Sequence, residues 1–259
     1  MMRLLFDIGN TRIKWVLEVS GDFEFEGVVA HKEFDMSNLQ ACLDQLSSGV
    51  ESIWASSVAS KEVEHQLEGW ASQFLQMTIN WADVQASCAG VVNGYEDLSR
   101  LGVDRWMAVL GANQYKSQHG LSDCNVVIID AGTAVTIELL TVKGCYQGGV
   151  ILPGLRLMHD SLVGQTEGIV SKLVDSVSVL GQNTQACVNS GVRFGLLGAI
   201  ERVLNEILSL PEVESSQVLV LLTGGDADFI AENSNLDYKI EPQLVLSGLS
   251  CVANIGVEK

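Results

Sequence analysis

Two tracts of the chain repeat one pattern of apolar and polar positions. In the first, the apolar run at residues 4–8 carries a single Asp at position 7, turns on Gly9-Asn10-Thr11, and continues into the weakly alternating tract 12–19. A buried strand, a tight turn and a second strand are expected there, with a third strand over residues 23–29 after Gly21-Asp22. In the second tract, residues 126–130 form an apolar run ending at Asp130, followed by Ala131-Gly132-Thr133 and by strand-like tracts over 135–140 and 146–152. Elsewhere the spacing is helical: Leu39, Leu43 and Leu46; Val63, Leu67, Trp70, Ala71 and Phe74; and a stripe of Leu196, Leu197, Ile200, Val203, Leu204 and Ile207 within residues 192–208. Residues 52–56 and 218–222 read as strands, and residues 244–255 as a helix containing small residues. Strands, then helices, then the same plan again predict an α/β architecture of two related lobes with a ligand cleft between them. The boundary is expected within residues 110–123, giving lobes 1–115 and 116–259.

Composition narrows the partners. The 259 residues are 47% hydrophobic with only 3 prolines, which suits a large folded core. The formal net charge of −17 argues against nucleic acid and against an anionic membrane as main partner. A local glycine turn still binds phosphate inside an acidic protein. Cys42, Cys88, Cys124, Cys145, Cys187 and Cys251 form no C-x-x-C pair, as expected of free thiols in a reducing compartment. The apolar run before Asp7 is too short for a signal-peptide core, and no stretch of about 20 apolar residues follows, so a cytoplasmic location is expected.

Four segments carry candidate chemistry. In Asp7-Ile8-Gly9-Asn10-Thr11-Arg12-Ile13-Lys14, Gly9 is expected to turn with positive φ and allow close approach of a ligand. The turn amides, Thr11 and Lys14 suit phosphate, and Asp7 suits a hydrated Mg2+. Asp130-Ala131-Gly132-Thr133 echoes it, with Asp130 for a cation or its water and Thr133 for phosphate. Thr223-Gly224-Gly225-Asp226-Ala227 closes a third strand and leaves a side-chain-free surface for a planar ring. Each is also an ordinary turn sequence when taken singly. Gly102-Val103-Asp104-Arg105-Trp106 opens an apolar helix; it is read either as a helix-terminal acid in an ion pair or as a carboxylate base beside a cationic substrate anchor. There is no Walker or dinucleotide glycine motif. His31, His65, His119 and His159 lie outside these segments, and no Ser/His/Asp pattern or zinc spacing is read in the sequence.

These segments, in this order, resemble the type III pantothenate kinases of the acetate kinase, sugar kinase, Hsp70 and actin superfamily. Residues 7–14 are similar to the family's D-x-G-N-T-x-x-K phosphate motif, Gly102–Arg105 to its G-x-D-R substrate motif, Asp130–Ala134 to its second phosphate motif, Gly148–Leu155 to a segment before an interface helix, and Thr223–Ala227 to its adenosine motif. The resemblance implies a duplicated actin-like (ribonuclease H-like) fold, two lobes each with a mixed sheet flanked by helices. It implies ATP-dependent phosphorylation of the primary hydroxyl of pantothenate to 4'-phosphopantothenate, the first step of coenzyme A biosynthesis. Asp104 would be the general base. ATP would be held by Asp7, Ile8, Gly9, Asn10, Thr11, Arg12, Ile13 and Lys14, with Thr133, Gly224 and Gly225. Pantothenate would meet Tyr95, Gly102, Val103, Asp104, Arg105 and Thr184, the last from the partner subunit of a homodimer. Mg2+ would accompany ATP, reached by Asp7 through water, and Asp130 would hold a monovalent cation, K+ or NH4+. Leu98 stands where many relatives carry Pro, a departure expected to loosen the loop after Tyr95. The alternatives are a kinase of another small alcohol in the same superfamily and a non-catalytic nucleotide-binding regulatory homologue.

Overall fold

The computed structural model describes residues 1–259 apart from 33, 45–48, 175–177, 215, 235–236 and 258–259. In chain order the elements are β1 (Met2–Ile8), β2 (Arg12–Val19), β3 (Asp22–Ala30), α1 (Ser37–Leu43), β4 (Ser52–Ser57), α2 (Lys61–Trp70), β5 (Ile79–Trp81), β6 (Ser87–Cys88), β7 (Val91–Asn93), α3 (Val103–Gln118), β8 (Cys124–Ala131), β9 (Ala134–Leu140), β10 (Cys145–Pro153), α4 (Leu155–Gln165), α5 (Thr184–Leu208), β11 (Gln217–Thr223), α6 (Ala227–Glu232), β12 (Lys239–Ile240) and α7 (Leu244–Val257). They pack into two compact units: Met1–Leu121 with Gly144–Tyr146 and Gln243–Lys259, and Ser122–Lys143 with Gln147–Pro242.

Unit 1 is built on a sheet of order β3-β2-β1-β4-β5. The β1–β2 and β2–β3 pairs are antiparallel, and the β1–β4 and β4–β5 pairs are parallel. Alternation along β1 gives the sheet two different faces. Leu4, Phe6 and Ile8 join Trp15, Leu17, Ile53, Leu67 and Trp70 in one apolar core. The opposite face carries Arg3, Leu5 and Asp7. There the buried Arg3 Nε lies 2.8 Å from Glu18 Oε2, and Ser250 Oγ of α7 donates to Glu18 Oε1 at 2.6 Å. Helices α3 and α7 meet backbone to backbone: a Cβ on Gly111 would lie 2.0 Å from the Leu244 oxygen, and one on Gly248 1.9 Å from the Met107 oxygen.

Unit 2 repeats the plan. Its strands run β12-β11-β8-β9-β10, with β8–β9 antiparallel and β8–β11 and β11–β12 parallel. Read from the other edge this is the strand order of unit 1, with β8 in the place of β1 and β11 in the place of β4. Leu196, Ile200 and Leu204 of α5 bury against Val127 and Ile129 of β8 and Val135 and Ile137 of β9, as the helical spacing of the stripe requires.

The expected elements form, with three differences. The lobe expected over 116–259 does not keep its last helix: α7 belongs to unit 1, where Gly248 lets it lie on α3. The cut at 115/116 falls inside α3, which runs on to Gln118. The helix around Val63 ends at Trp70 and passes through a π-helical turn, Ala71–Leu75, which leaves Phe74 exposed. Leu46 lies outside the described residues. No helix among the described residues is long and apolar enough to cross a membrane.

Candidate active site

The first glycine turn joins β1 to β2. Ile8 pairs with Ile13, and Gly9 N–H donates to the Arg12 carbonyl at 3.1 Å, closing the turn. Asn10, Thr11 and Arg12 are exposed at its tip, while Ile8 and Ile13 are buried beneath it. Gly9 is not among the positive-φ glycines, contrary to expectation. A Cβ there would meet only the Arg12 oxygen at 3.6 Å, an ordinary contact, so the space over the turn is open. Asp7 is almost fully buried. It stands opposite Lys14 on β2 and beside Ser56 on β4, and residues in register present their side chains on the same face. The Ser56 hydroxyl is 1% exposed and has no hydrogen-bond partner. The carboxylate and the hydroxyl beside it are oxygen donors that fit hydrated Mg2+, and the lysine across from the carboxylate suits a neighbouring phosphate.

The second turn occupies the same strand position in unit 2 but is covered differently. Asp130 stands opposite Thr136 on β9 and beside the buried Thr223 on β11. Two other glycine turns press on its backbone. Gly224, at φ +95°, would place a Cβ 2.4 Å from the Ala131 oxygen, and Asp226 N–H donates to that oxygen at 2.9 Å. Gly154, just before α4, would place one 2.3 Å from the Gly132 oxygen, and its N–H donates to the Thr133 carbonyl at 3.0 Å. Asp130, Thr133, Gly224 and Gly225 are thereby gathered at one end of the sheet. The donor set around Asp130, one carboxylate and two threonines in register, suits a weakly hydrated cation better than phosphate, because it contains no positive charge.

The third group belongs wholly to unit 1. Gly102 caps α3, and Asp104 lies in its first turn, where the open amides favour negative charge. Asp104 Oδ1 accepts the Arg105 N–H at 2.8 Å. A Cβ on Gly102 would fall 2.5 Å from that same oxygen, so glycine here is what lets the carboxylate sit as it does. Arg105 is 7% exposed. Its Nη2 donates to the Tyr146 hydroxyl at 3.2 Å, and its guanidinium carbon lies 5.5 Å over the Tyr95 ring. The rings of Tyr95 and Tyr146 are parallel, 6.4 Å apart at 4°. The loop after Tyr95 has local side-chain hydrogen bonds around Leu98. It forms a one-turn 3-10 helix, Leu98–Arg100, capped by Asp97, whose Oδ1 accepts from Ser99 N at 3.0 Å and Ser99 Oγ at 2.6 Å.

Thr184 belongs to unit 2. It is the first residue of α5 and lines a groove of about 620 Å³ in unit 2 with Leu162, Ile169, Gly181, Asn183 and Cys187; no other expected site residue reaches that groove.

Two features were missed by sequence reasoning. Tyr146 was read only as a strand residue. His159 does belong to a Ser/His/Asp arrangement: its Nε2 is 3.2 Å from Ser171 Oγ and its Nδ1 3.1 Å from Asp160 Oδ1. This arrangement is a tether. Asn189 Nδ2 also reaches Ser171 Oγ at 3.3 Å and the Lys172 carbonyl at 2.9 Å, fixing the segment before α5 onto that helix. The spacing of 159, 171 and 189 carries no signal that a sequence could display.

The type III pantothenate kinase family profile matches residues 3–206. A type III pantothenate kinase of Azoarcus sp. (strain BH72) is 34% identical over 255 residues, covering 97% of this chain and 90% of the relative. That of Nitrosococcus oceani is 31% identical over 255 residues, covering 97% and 94%. Among solved structures, the activator of the 2-hydroxyisocaproyl-CoA dehydratase from Clostridium difficile, with bound ADPNP, superposes with a TM-score of 0.55 at 11% identity, covering 100% of this chain and 96% of that one. At that identity the likeness concerns the fold alone.

Proposed function

The chain belongs to the type III pantothenate kinase family, and from that premise we propose how its residues divide the work. The reaction is ATP-dependent phosphorylation of pantothenate at its primary hydroxyl. Asp104 is the general base: it accepts the hydroxyl proton as the oxygen attacks the γ-phosphorus, and the γ-phosphoryl group leaves ADP. Arg105 anchors the anionic end of pantothenate, with Tyr95, Gly102 and Val103 shaping the pocket. The observation that carries this reading is the pairing of a helix-terminal carboxylate with a buried guanidinium held by two tyrosines.

In unit 1 the amides of the exposed tip residues 10–12, the Thr11 hydroxyl and the Lys14 ammonium take the phosphates, and Asp7 would hold Mg2+ through water. Bound Mg2+ neutralises charge on the β- and γ-phosphates. In unit 2 Thr133 contacts phosphate, Gly224 and Gly225 take the adenosine, and Asp130 with Thr136 and Thr223 holds K+ or NH4+. Thr184 serves the pantothenate of a second copy in a homodimer. The exposed apolar Leu157, Leu162, Val170 and Leu180 support an interface on that side of unit 2.

Asp104→Asn tests the base assignment. Turnover is expected to fall by roughly 100- to 10,000-fold, while melting temperature and ATP binding hold. Near-normal turnover would remove Asp104 from that role. ADP release measured with and without pantothenate, in K+ and in Na+ buffer, tests substrate and cation together.

A further inference from the structure

We infer that Tyr146 is the residue that positions the substrate anchor: it sets the place of both Arg105 and Tyr95, and so controls recognition of the anionic end of the acceptor. This rests on the pantothenate reading of the pocket and adds to it a residue from a distant part of the chain.

Three observations converge. Tyr146 is completely buried, and its hydroxyl accepts from Arg105 Nη2 at 3.2 Å. A guanidinium on a long stem has rotamer freedom to lose, and a fixed acceptor at its tip selects one placement before substrate arrives. Secondly, the Tyr146 ring lies parallel to Tyr95 and is tilted 48° against buried Trp106, with centroids 6.3 Å apart, so it is in contact with both rings. Thirdly, its backbone fixes β7 and Gly94, which lead directly into Tyr95. Cys145 and Tyr146 pair in parallel with Val92 and Asn93, and Gly94 N–H donates to the Tyr146 oxygen at 3.0 Å. A Cβ at position 94 would lie 2.5 Å from that oxygen, so the approach requires glycine. Asn93 Oδ1 in turn accepts the Tyr95 N–H at 3.1 Å.

The placement explains why Gly144–Tyr146 belongs to unit 1 although the residues on either side belong to unit 2. One short excursion of the second half of the chain completes a pocket built from the first. Tyr146 acts through Arg105 and Tyr95 and is a positioning residue rather than a catalytic one.

Tyr146→Phe removes the hydroxyl and keeps the ring; Tyr146→Leu removes both. Tyr146→Phe is expected to raise KM for pantothenate about tenfold, the effect of losing a hydrogen bond to a charged group, with kcat and KM for ATP within about twofold of wild type. Tyr146→Leu is expected to raise it further. In substrate-free protein, 15N relaxation of the Arg105 Nε–H is expected to report a more mobile side chain in Tyr146→Phe. An unchanged pantothenate KM with an equally rigid Arg105 overturns the inference. So does a fall in melting temperature accompanied by equal losses in every kinetic constant, which is the mark of a packing role alone. If wild-type protein shows no pantothenate-dependent ADP release, the functional reading fails instead, and the Arg105 relaxation still decides whether Tyr146 positions it.

Discussion

Asp7 and Asp130 occupy the same position in two copies of one sheet plan, each at the end of its first strand, and their neighbours in register differ. Asp7 has Lys14 on one side and Ser56 on the other; Asp130 has Thr136 and Thr223. One copy sets a positive charge beside its carboxylate, and the other sets two hydroxyl-bearing residues there. The turns above them also differ. The space over Gly9 is open, whereas the turn after Asp130 carries the backbones of Gly154 and Gly224 within contact distance. A duplicated phrase therefore does not imply a duplicated task. The strand supplies the carboxylate, and its lateral neighbours set the charge beside it, which is the basis of the different tasks proposed for the two copies.

The largest effect is expected from crowding the covered turn. Gly224→Ala puts a methyl group on the Ala131 carbonyl and forces a positive φ on an L-residue, at a cost of roughly 3 kcal/mol or more. A drop in urea midpoint with disordered unit 2 resonances is the expected result. Neutralising the carboxylates comes next. Asp7→Asn is expected to reduce kcat/KM for ATP roughly 100-fold, the scale of weakening the hold on the Mg2+ proposed to neutralise the transferring phosphoryl group. Asp130→Asn is expected to reduce it only on the order of tenfold, since under the proposed assignment it acts through a monovalent ion, and to abolish any difference between K+ and Na+ buffers. Equal losses in the two variants, with the K+ response intact in both, would erase the division of labour. The smallest effect on stability belongs to Gly9→Ala, expected within about 1 kcal/mol because no atom lies closer than ordinary contact. Its ATP KM is still expected to rise, because the methyl group fills space that the phosphates need.

Much of this molecule is legible in one dimension. The hairpins 2–19 and 124–140, the buried stripe of α5 and the strand ends that carry Asp7, Asp130 and Thr223 follow from apolar runs interrupted by glycine. The reason is physical: strand burial and turn conformation depend on residues adjacent in sequence. Other features depended on partners the chain does not advertise. The conformation of Gly9 could not be read because several backbone paths suit a Gly-Asn turn. The short strands β6 and β7 carry too few residues for a period to register. The one-turn helix Leu98–Arg100 and its cap from Asp97 depend on a side-chain hydrogen bond that the apolar pattern does not show.

By itself, the sequence determined the repeated strand-turn-strand plan, the carboxylates at the strand ends and the Gly-x-Asp-Arg opening of α3, since each rests on local pattern. Only the tertiary structure decided that α7 joins the first unit through Gly111 and Gly248, that Lys14 and Thr136 stand in matching positions beside their aspartates, and that Tyr146 lies under Arg105. Those are contacts between residues far apart in the chain. They form because buried surface and paired polar groups repay the entropy of closing long loops, a balance struck over the whole folded unit and not at any one position.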